Sequence, residues 1–76
     1  MQKPKDVLDS YYLEARCQLL EIAAVLDRYD RACENETQPS SESRIDLMYE
    51  SLRMLSERGT ESNRSERLLY LLSDPE

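Results

Sequence analysis

Apolar residues recur along the first half of the chain at alternating steps of four and three. We call this set the long stripe; its members are Leu8, Tyr12, Ala15, Leu19, Ile22, Leu26, Tyr29 and Cys33. Because residues three and four apart lie above one another on a helix surface, this spacing places all eight on one side of an α-helix. Pro4 fits a first helical turn, and no glycine or proline follows it before residue 35. The pattern therefore predicts a long helix over about 5–34.

Two shorter helices are predicted in the second half of the chain. Residues 35–42 contain no large apolar side chain and include Pro39, which predicts a surface loop. A second helix over about 43–58 is indicated by an apolar line formed by Ile45, Met48, Leu52 and Leu55. A third helix over about 63–73 contains four leucines and stops before Pro75.

Polar residues and one glycine mark the predicted ends of these helices. Ser40, Ser41 or Ser43 can cap the second helix, and Asp46 lies at capping-box spacing from Ser43. Gly59 is the only glycine, and we expect it to be the left-handed residue that ends the second helix. The third helix has the same capping-box spacing between its possible cap, Asn63, and Glu66.

The predicted fold class is all-α, in a single helical domain over residues 1–76. The two shorter helices together would span roughly 39 Å, close to the roughly 45 Å of the first helix. This match favours a long helix packed antiparallel against a broken return helix, a helical hairpin that burial of the long stripe would stabilise. A compact three-helix bundle, with the third helix folded across the other two, is the alternative.

The first helix carries a second apolar line, which we call the short stripe: Leu13, Cys17, Leu20 and Ala24. It lies on a different side of the helix from the long stripe, so two neighbours are needed to cover both. We expect the short stripe to mediate self-association, which would complete the bundle as a symmetric homodimer. The alternative is a monomeric three-helix core with scattered exposed leucines.

Composition excludes most catalytic chemistry and predicts that the chain is not an enzyme. The absence of histidine removes the usual catalytic triads and most zinc sites, and one glycine cannot form a phosphate-binding loop. Cys17 and Cys33 lie about 24 Å apart along one helix, so they cannot bridge within a chain. We interpret them as reduced, buried small side chains, and we predict no cofactor.

Sixteen acidic residues raise the possibility of a carboxylate metal site. Such a site would need acids that face inward from several helices, and the candidates are Glu14, Glu21, Asp27 and Asp30. Asp27 is instead at ion-pair spacing from Arg31. A carboxylate metal-binding protein is therefore kept as a further alternative.

Aromatic and leucine-rich segments are better explained by packing than by ligand binding. Tyr12 and Tyr29 fall on the long stripe, where a ring packs in the core. The segment from Leu68 to Leu72 contains a Leu-x-x-Leu-Leu pattern, which docks as a helix in some coactivators but is also what a short core helix needs. Arg16 borders the two stripes and can either pair with a neighbouring carboxylate or extend into solvent.

The sequence predicts a protein that acts through protein partners. The net charge of −6 argues against nucleic acid and acidic membranes, and no apolar run is long enough to cross a bilayer or act as a signal, so we expect a cytoplasmic protein. Residues 13–16 and 26–28 resemble segments of small bacterial helical proteins, which implies no functional residue. We expect a non-enzymatic interaction or scaffold module that works as a self-associating acidic bundle. The alternative is a small regulatory or chaperone-type adaptor that holds a partner helix.

Overall fold

A computed structural model describes residues 2–36 and 42–73 of the chain. The described residues form three α-helices and no strand: α1 at Pro4–Glu34, α2 at Ser43–Leu55 and α3 at Arg64–Leu72. The predicted all-helical class is therefore confirmed for these residues. By its internal contacts the chain divides into two compact units, one holding α1 and the other holding α2 and α3.

The first turn of α1 is fixed by local polar contacts. Pro4 occupies the first helical position, where the missing N–H costs no hydrogen bond. The Lys3 backbone N–H donates to the Asp6 carboxylate at 3.2 Å, and the Lys5 ammonium pairs with Asp9 at 2.9 Å. Both acids lie near the positive end of the helix dipole, which stabilises them there.

The N-terminus of α2 differs from the sequence prediction. Ser43 is already helical, and the cap is Glu42, whose carboxylate accepts the Arg44 backbone N–H at 3.3 Å. The Arg44 guanidinium holds the same carboxylate at 2.9 Å, which explains why a long acidic side chain can replace a serine here. The predicted Ser43 cap is therefore wrong; the other two candidates, Ser40 and Ser41, lie outside the described residues.

α2 also ends three residues before the predicted position. Its last residue is Leu55, and the Ser56 hydroxyl donates to the Arg53 carbonyl at 2.7 Å, an acceptor that would otherwise continue the helix. Gly59 has a φ of +78°, so its predicted left-handed conformation is confirmed. It lies within the connection between α2 and α3 rather than at the end of α2, so its predicted role in ending that helix is wrong.

The start of α3 lacks the predicted capping box. Asn63 is the N-cap residue, yet its side chain accepts no cap hydrogen bond. Its backbone N–H donates to the Glu61 carbonyl at 2.8 Å, and its Oδ1 atom is enclosed without a partner. At the other end, the Ser73 hydroxyl donates to the Leu69 carbonyl at 2.7 Å. Pro75, the predicted stop, lies outside the described residues.

The packing of α2 against α3 gives the second unit a partly shielded interior. The half-buried apolar side chains are Ile45, Leu47, Met48, Leu52 and Met54 of α2 and Leu68 and Leu71 of α3. Ser51 is the most buried described residue, at 9% exposure, and its hydroxyl donates to the Leu47 carbonyl at 2.7 Å. No described hydrophobic residue is fully buried, so neither unit contains a closed apolar core.

Candidate interaction surface

The two stripes of α1 lie on nearly opposite sides of the helix. At 100° per residue, the long stripe and the short stripe are centred about 160° apart. Two polar edges separate them, one containing Glu14, Glu21 and Arg28 and the other containing Arg16 and Asp27. A helix of this kind presents apolar surface to two neighbours rather than to one.

The long stripe is exposed in its first half and half-buried in its second. Leu8, Tyr12 and Leu19 are 60%, 61% and 63% exposed, and Ala15 between them is also exposed. The half-buried residues are Ile22, Leu26, Tyr29 and Cys33. Tyr12 is therefore not a core residue of the chain, contrary to the sequence prediction. The exposed part coincides with the first four of the eight stripe positions.

The short stripe is also open along most of its length. Leu13 is 71% exposed, Leu20 is 56% exposed, Cys17 is exposed and Ala24 is half-buried. Its role in self-association stays a prediction. Both cysteines are free thiols, and with Cys17 exposed and Cys33 half-buried, the expectation that both are buried is wrong.

The carboxylates of α1 are not gathered into a site. Glu14, Glu21, Asp27 and Asp30 are all exposed. Within residues 2–36 and 42–73, no three of the acids and cysteines are grouped so that they could hold a metal ion. The inward-facing acids that a metal site requires are therefore not found among the described residues.

Ion pairs in the described ranges are few: Lys5 with Asp9 and Glu42 with Arg44 are local pairs, and Glu57 with Arg67 connects the end of α2 to α3. The predicted pair between Asp27 and Arg31 is not among them, and both residues are exposed on α1. Arg44 lowers the pKa of Glu42, first through the hydrogen bond from its guanidinium, then through the hydrogen bond from its backbone N–H and through its positive charge.

A cleft lies between α2 and α3, and sequence reasoning did not identify it. Its volume is about 230 Å³, and its lining residues are Glu50, Arg53, Met54, Glu57, Arg67 and Leu71. The Arg64 guanidinium donates to the Glu57 backbone carbonyl at 2.6 Å, and the Arg67 guanidinium lies 3.7 Å from the Glu57 carboxylate. These contacts join the end of α2 to α3. The charged groups of Glu57 and Arg67 in the cleft therefore have a structural role.

The leucine-rich segment of α3 divides between the interior and the surface. Leu68 and Leu71 are half-buried, while Leu69, Tyr70 and Leu72 are 70%, 76% and 51% exposed. The pattern of one shielded and one open side is that of an amphipathic helix resting on α2. Two of the three leucines in the Leu-x-x-Leu-Leu pattern therefore contribute to packing within this unit.

None of the described helices combines the length and the apolar character that a membrane span requires. Among the described residues, α1 presents an extended exposed apolar surface, and a small charged cleft lies between α2 and α3. Comparison of the chain with known protein families, with curated proteins and with solved structures returned no match.

Proposed function

We propose that this chain is a non-enzymatic protein-interaction module that works by self-association, with α1 as the helix that mediates it. The observation that carries the proposal is the exposure of large apolar side chains on both sides of α1, while no described hydrophobic residue is buried. Side chains such as Leu8, Leu13 and Leu19 gain little from folding of one chain when more than half of each remains in water.

The free energy available from a second copy is large compared with the stability of a chain of this size. Complete burial of one leucine side chain contributes roughly 1.5–3 kcal/mol, and a symmetric contact counts each residue twice. A 76-residue chain has a narrow margin between apolar burial and lost conformational entropy. Association therefore supplies the apolar burial that the single chain lacks.

In the arrangement we propose, α2 and α3 return antiparallel beside α1 and a second copy completes a helical bundle. The 13 residues of α2 and the 9 of α3 amount to roughly 33 Å of helix, whereas the 31 residues of α1 span about 46 Å. The return helices are thus shorter than the sequence predicted, and part of α1 is left for the second copy.

Sedimentation equilibrium of the complete chain at tens of micromolar tests the proposal. We expect a particle of twice the chain mass of 8.9 kDa, with a helical circular dichroism spectrum. A particle of 8.9 kDa across that concentration range would contradict self-association. A monomer that co-purifies with a different protein in fixed stoichiometry would indicate the adaptor instead.

Substitutions at neighbouring positions of α1 test whether this helix mediates the association. Leu19→Asp places a charge on the long stripe and Leu20→Asp places one on the short stripe, whereas Ala23→Asp places it on the polar edge between them. Self-association through α1 predicts that at least one leucine variant becomes monomeric while Ala23→Asp stays dimeric. Dimers in all three variants, with helicity retained, would place the contact elsewhere.

A further inference from the structure

The exposed half of the long stripe has the residue pattern of an antiparallel pairing surface. From this pattern, and resting on the proposed self-association, we infer that two copies of α1 pair antiparallel through Leu8, Tyr12, Ala15 and Leu19. The two-fold axis passes between residues 13 and 14, at the middle of these four positions. The contact therefore uses the half of the stripe that is open, and leaves the half-buried positions from Ile22 onward outside it.

The spacing of the long stripe determines which residue of the second copy faces each stripe residue in such a pair. Steps of four and three are the alternating core positions of a coiled coil, and in an antiparallel pair each core position of one kind faces the other kind. With the axis between residues 13 and 14, Leu8 faces Leu19 of the second copy. Tyr12 likewise faces Ala15 of the second copy, so four apolar layers form over about 16 Å.

Side-chain size favours the antiparallel direction. A large Tyr12 ring opposite a small Ala15 methyl group fills each of the two central layers evenly. A parallel pair would place the two Tyr12 rings in one layer and the two Ala15 methyl groups in the next. That arrangement overfills one layer and leaves a void beside the other, and both defects are destabilising.

Charge complementarity selects the same direction and the same register. In the antiparallel pair the flanking position of Asp9 lies beside that of Arg16 on the second copy, which gives two symmetric ion pairs. Arg16 is exposed and makes no ion pair within the described residues, and Asp9 already contacts Lys5. Overlap of the two helices along their full length would instead bring Asp9 beside Asp30, where like charges repel.

The short stripe lacks this complementarity. An antiparallel pair centred on the short stripe places Glu14 beside Glu21 of the second copy and Asp9 beside Asp30. A parallel pair brings Arg16 close to Glu21 but also brings Asp9 close to Glu14, so attraction and repulsion offset each other. The flanking charges of α1 therefore favour the long stripe for the contact between copies.

Charge reversal on the complete chain tests the pairing without changing the apolar layers. Arg16→Asp and Asp9→Arg each replace two attractive pairs by two repulsive ones, and we expect each to weaken dimerisation by roughly tenfold in sedimentation. The double variant restores opposite charges across the contact, and we expect it to recover most of the wild-type affinity. The two residues lie about 10 Å apart within one helix, so recovery cannot arise inside a single chain.

A distance measurement separates the antiparallel from the parallel direction. Glu34→Cys, in a chain with Cys17→Ser and Cys33→Ser, provides one labelling site per copy at the end of α1. Fluorescence energy transfer between the two labels should correspond to about 60 Å for the antiparallel pair, against roughly 10 Å for a parallel one. Circular dichroism of the labelled variant checks that it remains helical.

The outcomes distinguish this inference from the function on which it rests. A dimer in which the double variant recovers affinity, the labels are far apart and Leu20→Asp has no effect supports the antiparallel contact. A dimer with labels close together, or one dissociated by Leu20→Asp but not by Leu19→Asp, overturns the inference and leaves self-association standing. A monomeric wild-type chain overturns both.

Discussion

Replacement of Gly59 by alanine tests the most specific backbone feature of the second unit. Gly59 has a φ of +78°, in the left-handed region that L residues with a Cβ atom avoid. A Cβ atom built at this position has no heavy atom within 4 Å, so Gly59→Ala causes no steric clash. The cost is therefore conformational alone, roughly 1–2 kcal/mol, reduced by the lower entropy of alanine in the unfolded chain.

We expect Gly59→Ala to lower the free energy of unfolding by about 1 kcal/mol, which corresponds to a fall in Tm of roughly 4–8 °C for a chain of this length. Gly59→Asn should lose less, because asparagine tolerates the left-handed region better than alanine. Ser62→Ala, in the same connection but at a residue with negative φ, is the matched control and should change stability by less than about 0.5 kcal/mol.

Urea and thermal denaturation followed by circular dichroism at 222 nm provide the measurement. A Gly59→Ala variant as stable as the wild-type chain, or more stable, would show that the left-handed conformation at residue 59 has no cost for alanine. An accompanying increase in helical signal would mean that residues 56–63 become helical once the glycine is gone. In that case Gly59 would be the residue that keeps α2 and α3 as two separate helices.

Two further predictions concern polar contacts of the second unit. Arg64→Met keeps the aliphatic part of the side chain but removes the hydrogen bond to the Glu57 carbonyl. We expect it to lower the free energy of unfolding by about 1 kcal/mol in the same denaturation assay. Arg58→Met, at an exposed arginine, is the control. Because Arg44 lowers the pKa of Glu42 below its ordinary value of 4.5, the stabilisation from the charged carboxylate is present above pH 4.5 and is lost as the pH falls through the lowered pKa. The protection factor of the first-turn amides of α2, which is the intrinsic exchange rate at each pH divided by the observed rate, should therefore fall below pH 4.5, and Glu42→Gln should remove that fall; an unchanged profile in Glu42→Gln would refute the role of this cap.

The helices were predictable because their signals are local. The long stripe and the absence of glycine and proline after Pro4 place α1 over nearly the range that the structure gives, Pro4–Glu34. The helix ends were less predictable, because several polar residues compete for each cap. Glu42 caps α2 in place of the expected serine, with its carboxylate held by Arg44, and α2 ends at Leu55, before the glycine, where the Ser56 hydroxyl donates to the Arg53 carbonyl.

The candidate surface was predictable in its residues but not in its exposure. Periodicity identifies the long stripe and the short stripe, since it depends only on the helical repeat. The sequence alone could not indicate that the long stripe is open from Leu8 to Leu19 and half-buried beyond it. The cleft between α2 and α3 left no sequence signal at all, because its lining combines residues from two helices that meet only in the folded chain.

By itself, the sequence determined that the described part of the protein is helical, and that the chain is acidic and contains no histidine. These properties follow from side-chain chemistry and a repeat of 3.6 residues, which require no knowledge of distant contacts. The tertiary structure decided which apolar side chains stay in water, where the arginines near Glu57 bind, and that the acids of α1 are dispersed. Exposure and contact depend on which surfaces meet in space, and periodicity along one helix does not contain that information.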